Sequence, residues 1–163
     1  MQENSRPACY YPMKKFLMRL LIFLCIIVSL LWVYANSLFG VEKQAKDYYE
    51  ELKTELIKEG YQSNLYVISG RRFGPDNWLL NRFGGAAKNS KHLAGQAIDV
   101  VVLDVNRDGL SDAEDVEIVY RILDQVIIQD KGGIGTYYKG SKDFFSRQMV
   151  HFDCRGTHAR WRR

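Results

Sequence analysis

Histidine and carboxylate side chains at two places in this chain have the types and spacing that hold a metal ion. The segment Ser90-Lys-His-Leu-Ala-Gly-Gln-Ala-Ile-Asp99 sets an imidazole, His92, seven residues before a carboxylate, Asp99, with Gly95 between them where the chain can turn. Further on, His151-Phe-Asp153 puts two polar side chains on one face of a strand, since positions i and i+2 point together. His92, Asp99 and His151 make a His/Asp/His set that suits zinc, because imidazole nitrogen and carboxylate oxygen both bind it at about 2.0–2.2 Å. A catalytic zinc site keeps three protein ligands and a water, and supplies a Lewis acid and an acidified water for hydrolysis. On spacing alone, a loop histidine also reads as a surface or capping residue, and the strand pair as a solvent face.

A second oxygen-rich stretch lies between these two. Asp104-Val-Asn-Arg-Asp-Gly-Leu-Ser-Asp-Ala-Glu-Asp115 fits a twelve-residue calcium loop. Asp104, Asn106, Asp108 and Asp112 fall at positions 1, 3, 5 and 9, Gly109 at 6 and Asp115 at 12, and Leu110 would contribute its carbonyl. Calcium is therefore expected beside zinc, with a structural role. The plainer reading is a polar turn ending in a helix cap at Ser111 or Asp112.

The elements that must position these groups are readable from periodicity. Val41 to Glu59 carries Ala45, Tyr48, Tyr49, Leu52 and Leu56 on one helical face, with Gly60 as a stop. Leu65–Ser69 reads as a short buried strand. Residues 70–90 have no clean period and read as a long loop, with one helical turn around Trp78–Phe83. Ala97–Leu103 is apolar and β-branched enough for a central strand. Val116, Val119, Tyr120, Leu123, Val126 and Ile127 define the buried face of a second helix. GGIGTYY and MVHFDCRG read as two further strands, the glycines of the first suiting an open cleft wall. Strands and helices without βαβ alternation give an α+β fold: a small central antiparallel sheet with flanking helices.

The N-terminal part has a different character. Phe16–Tyr34 is nineteen residues, apolar except for Arg19 and Ser29, which matches the roughly 20 that a spanning helix needs. Positive charge precedes it, and Trp32 and Tyr34 end it, so the N-terminus is expected in the cytoplasm. The expected organisation is a cytoplasmic tail at 1–15, a transmembrane anchor at 16–35 and an exported domain at 36–163 carrying the calcium loop at 104–115. The domain would be held at the cell membrane on the extracytoplasmic, periplasmic side. A cleaved signal peptide, with Val33 and Ala35 before the cut, delivers the domain to the same side.

With 163 residues, 47% of them hydrophobic and 26% charged, the chain has room for one packed domain and no second. The net charge of +4 is partly terminal, at Arg160, Arg162 and Arg163. No basic stripe interleaved with aromatics is present, so nucleic acid is not an expected partner. Cys9, Cys25 and Cys154 fall in three different environments, which argues against an internal disulfide and against a cysteine zinc site. Nothing in the sequence specifies an oligomeric state.

In order and content, VISGRR, SKHLAGQAID, GGIGTYY and MVHFDCRGTHARW resemble the zinc D-alanyl-D-alanine carboxypeptidase and murein endopeptidase family, whose fold is hedgehog- and lysostaphin-like. The similarity runs from about Leu65 to Trp161, and the S-x-H-x-x-G-x-A-x-D motif is its most specific part. The resemblance implies His92, Asp99 and His151 as zinc ligands and peptidoglycan peptide as substrate. It implies Arg72 as a catalytic residue that engages a substrate carboxylate or carbonyl, with Ser90 of the motif also on the substrate side. Where relatives carry Glu or Asp three residues before the last ligand, or His two before it, this chain has Gln148 and Met149. Asp153 is then the nearest catalytic candidate, as general base or as the group that orients His151. A variant set with Asp153 as ligand and His151 as base also satisfies the motif. His158 is the remaining histidine that could approach the cleft.

Overall fold

The computed structural model describes residues 11–35, 38–84, 87, 89–139 and 141–163. Contacts within the chain separate Met1–Tyr34 from Ala35–Arg163. Cys9 and most of the expected tail lie outside the described residues.

The first unit is the helix α1, Tyr11–Ala35, whose Phe16, Leu17, Leu21, Phe23, Leu30 and Leu31 are all exposed. Lys14, Lys15 and Arg19 interrupt its described side chains, and among the described residues no helix is long and apolar enough to cross a membrane. The anchor expected at 16–35 thus lacks structural support. That expectation also used Trp32 and Tyr34, whose side chains fall outside the described set.

The second unit is a five-stranded sheet with two amphipathic helices packed on one face. Its elements are α2 (Lys43–Lys58), β1 (Leu65–Ser69), α3 (Gly74–Gly84), a 3₁₀ turn (Lys91–Ala94), β2 (Ala97–Val102), α4 (Ala113–Ile122), β3 (Gly133–Thr136), α5 (Phe144–Arg147), β4 (Met149–Asp153) and β5 (Ala159–Arg162). The strand order is β1-β2-β4-β3-β5. Alternation along the strands sends Ile98, Val100, Val102, Ile134, Val150 and Phe152 to a core face. There they pack with Leu52 and Leu56 of α2 and with Val116, Val119 and Ile122 of α4, all buried. The opposite face carries Asp99, His151 and Asp153. The α+β class and the amphipathic faces of α2 and α4 agree with the sequence pattern.

Three details differ from expectation. The sheet is mixed, because β5 runs parallel to β3. After β4 the chain turns at Cys154–His158 and enters on the far side of β3, so β3 lies between two strands that are neighbours in sequence. The stretch read as a loop with one helical turn contains α3, eleven residues long, with Pro75 in its first turn where a missing N–H costs nothing. Finally, α4 continues as a π-helix over Leu123–Ile128. The wider turn rotates Val126 outward, to 39% exposure, while Ile127 and Ile128 stay buried.

Candidate metal centre

One row across the sheet carries the site. In register, Ser69 pairs with Asp99, Asp99 with His151, His151 with Gly135, and Gly135 with Trp161. Residues opposite one another in a sheet share a face, so this single line brings five positions from five strands together. His92 joins from above the row. Ser90 caps the 3₁₀ turn, its Oγ accepting from the His92 amide at 3.4 Å, and Gly95 closes the turn in a left-handed conformation, φ +76°. A β-carbon at Gly95 would also fall 2.5 Å from the Gly40 carbonyl, so glycine is required there.

His92, Asp99 and His151 are buried, and their ligand atoms lie within 4.8 Å of one another. His92 Nε2 is 3.3 Å from His151 Nδ1 and 3.1 Å from Asp99 Oδ2, and His151 Nδ1 is 2.7 Å from Asp99 Oδ1. Donors at about 2.0–2.1 Å around one tetrahedral ion would be spaced by about 3.3 Å. The outer nitrogens fix the tautomers. His92 Nδ1 lies 2.6 Å from the Gly70 carbonyl, which only accepts, so Nδ1 carries the proton and Nε2 offers its lone pair. His151 Nε2 lies 3.2 Å from Asp153 Oδ2, which frees Nδ1 in the same way. Donor type, spacing and tautomers all fit zinc.

The carboxylates are held charged. Burial alone would raise the Asp99 carboxyl, but its electrostatic and hydrogen-bonding interactions with the His92 and His151 rings override it and hold it well below the ordinary range. Arg72 adds a bond from Nη2 to Asp99 Oδ2 at 2.6 Å, and its Nε donates to Ser69 Oγ at 2.8 Å. Burial would likewise lower the His151 ring, yet hydrogen bonds to Asp153 and Asp99 raise it to about 9 in the metal-free protein.

Asp153 is wholly buried and fully engaged. It accepts from the Gly133 amide at 3.0 Å, the Arg155 amide at 3.1 Å and the Arg155 guanidinium at 2.5–3.0 Å, besides His151. Against the raising effect of burial, the bonds to His151 and Arg155 hold its carboxyl far below the ordinary range. Of the three roles open to it, as base, as ligand or as the group that orients His151, orientation is the one this environment supports.

The remaining candidates separate. Arg72 stands beside Asp99, with its guanidinium bonded to that carboxylate. Ser90 serves as a cap. His158 pairs with Asp130 at 3.1 Å in an exposed position away from the row. Gln148 is buried, and its amide donates to the Ser111 carbonyl at 3.1 Å. In the loop Asp104–Asp115, side-chain oxygens accept from the loop's own amides. Asp104 takes Arg107 and Gly109, Asn106 takes Asp108, Asp108 takes Leu110, and Asp112 takes Glu114. Asp115, buried, accepts from Val105, Asn106 and Asp112 and forms a capping box. Among the described residues, the convergent set of His, Cys, Asp or Glu is His92, Asp99 and His151, and the loop forms none.

Sequence reasoning did not foresee what surrounds His151. Trp161 lies with its ring centroid 5.2 Å from that of His151, and it reaches there by lying over Gly135, where a β-carbon would stand 2.0 Å from the indole. The glycines of β3 thus admit side chains from neighbouring strands instead of opening the cleft wall. Trp161 Nε1 donates to Tyr137 Oη at 3.2 Å, and the Arg155 guanidinium lies 5.6 Å from the indole centre. The G-x-G spacing of β3 opposite H-x-D was the available signal.

A family model described as peptidoglycan L,D-endopeptidase MepK matches residues 36–161. No curated relative matches the chain significantly.

Proposed function

The chain belongs to this family of zinc murein peptidases of the M15 class, and on that premise we propose that it is a zinc-dependent L,D-endopeptidase of peptidoglycan. The observation that carries the metal part is the convergence of His92 Nε2, His151 Nδ1 and Asp99 within one buried cluster. The family description favours an endopeptidase over a carboxypeptidase, and the substrate reading rests on it.

When bound, zinc supplies Lewis acidity toward a peptide carbonyl and toward water. The protein's own residues do the rest. Gly70 and Asp153 hold the two imidazoles in the tautomers that expose Nε2 and Nδ1. Arg72 fixes the Asp99 carboxylate, and a guanidinium at that place also suits a substrate carboxylate or carbonyl. Ser90, beside His92, is proposed on the substrate side as well.

A wall substrate requires the domain on the extracytoplasmic side. The basic residues ahead of the apolar run Phe16–Tyr34 support membrane attachment with that orientation. Calcium at 104–115 is supported by the six ligand-type positions of the loop.

Mass spectrometry of muropeptides treated with the zinc-loaded full chain tests the bond specificity. Splitting of cross-linked muropeptides into monomers is expected. Release of a single C-terminal amino acid from monomeric stems would instead assign a carboxypeptidase. Wall affinity without turnover would assign a binding module.

A further inference from the structure

The site contains no uncommitted carboxylate among the described residues: Asp99 and Asp153 are both engaged, and Gln148 and Met149, just before His151, add none. One polar group on the same face has not been assigned. Tyr137 directly follows β3, and its hydroxyl meets Trp161, whose ring lies over Gly135 and against His151 on the metal face of the sheet. Its side chain is half-buried.

The indole that packs on His151 also orients this hydroxyl. Trp161 Nε1 donates to Tyr137 Oη at 3.2 Å, so the oxygen acts as acceptor toward Trp161 and its own O–H is left to donate. Among the described residues no acceptor takes that proton. We propose that Tyr137 is a catalytic residue whose O–H donates to the carbonyl oxygen of the scissile peptide bond, on the metal face beside His151.

Burial, and beyond it the Asp99 charge, raise the phenol above its ordinary value, so it stays a donor at neutral pH. Hydrolysis adds water across the C–N bond. The water oxygen joins the carbonyl carbon and sheds one proton, the carbonyl oxygen carries negative charge in the tetrahedral species, and on collapse the leaving nitrogen takes up a proton equivalent to the one the water shed as the C–N bond breaks. A donor aimed at that oxygen binds it more tightly in the tetrahedral state than in the ground state, which is the condition for raising kcat.

The inference rests on the peptidase reading, so its test separates the two. Tyr137→Phe removes one oxygen and keeps the ring. The full-chain wild type and variant are compared for zinc content, thermal midpoint, kcat and KM on a cross-linked muropeptide, and affinity for a phosphinate analogue of the same peptide. The expected result is a kcat lower by about a hundredfold, the scale for losing one such donor. KM should stay within about threefold and zinc content should not change. Phosphinate affinity should fall by a factor similar to that in kcat. Wild-type kcat in the variant would overturn the inference and leave the peptidase reading standing. A loss of kcat matched by loss of zinc or of thermal midpoint would overturn it in favour of a structural role. Absence of both turnover and phosphinate binding in the zinc-loaded wild type would overturn the peptidase reading, and the inference with it.

Discussion

Replacing Gly135 with alanine tests whether His151, in the candidate metal set, is wedged in place by Trp161. A β-carbon there would lie 2.0 Å from Trp161 Cε2 and 2.1 Å from Nε1, against an ordinary carbon contact of about 3.5–4.0 Å. The indole must therefore move by about 1.5 Å or more, which breaks the 3.2 Å bond to Tyr137 and opens the packing on His151. Overpacking costs about 1–3 kcal/mol, the hydrogen bond about 1 kcal/mol and the ring contact about 0.5–1.5 kcal/mol. With partial relaxation the expected destabilisation is about 2–4 kcal/mol in urea unfolding. The decisive comparison is a double-mutant cycle. In a Trp161→Ala background the obstruction is gone, so Gly135→Ala should cost less than about 0.5 kcal/mol. An equal cost in both backgrounds would refute the wedge.

Four further outcomes follow from the same geometry. Asp153→Asn should weaken zinc affinity about 10–100-fold in a chelator competition, because His151 loses the carboxylate that fixes its tautomer; unchanged affinity would remove Asp153 from the site. Ser90→Ala should cost about 1 kcal/mol of stability while Ser90→Asp retains most of it, as a cap requires; equal losses would point to a role other than capping. Burial, with the Glu42 charge, raises the Cys154 thiol, so less thiolate is present at any given pH than in an exposed cysteine. Its alkylation, mapped by mass spectrometry, should be slow at pH 8 and quicken as pH rises above the ordinary thiol range; modification at the rate seen in urea would contradict this. Calcium added to chelator-treated, zinc-reloaded protein should raise the thermal midpoint through the loop Asp104–Asp115, and Asp108→Ala should abolish the shift; an unchanged midpoint would contradict a calcium site there.

The sequence made the metal set legible because His92 and Asp99 are fixed by a local motif and His151 sits on an apolar strand. Local periodicity also exposed α2, α4 and the central strands. What it hid depends on pairing between distant segments. β5 is only Ala-Arg-Trp-Arg, an edge strand whose four residues are too few for their alternation to mark it, and its parallel course beside β3 follows from where the chain turns after Cys154. The surroundings of Asp153 could not be read from H-x-D because Arg155, two residues on, supplies most of its hydrogen bonds. The Gly74-Pro75 start of α3 was a readable helix signal that the polar composition of residues 70–90 masked. Val126 was misplaced because a π-helix breaks the 3.6-residue period from which its face was read.

The central claim is most directly tested by stripping metal from the full chain with a chelator and following cross-linked muropeptides by mass spectrometry before and after one equivalent of zinc. The expected result is no cleavage by the stripped protein, restoration by zinc, and none in His92→Ala under either condition. Cleavage that survives metal removal, or identical products from wild type and His92→Ala, would contradict the account.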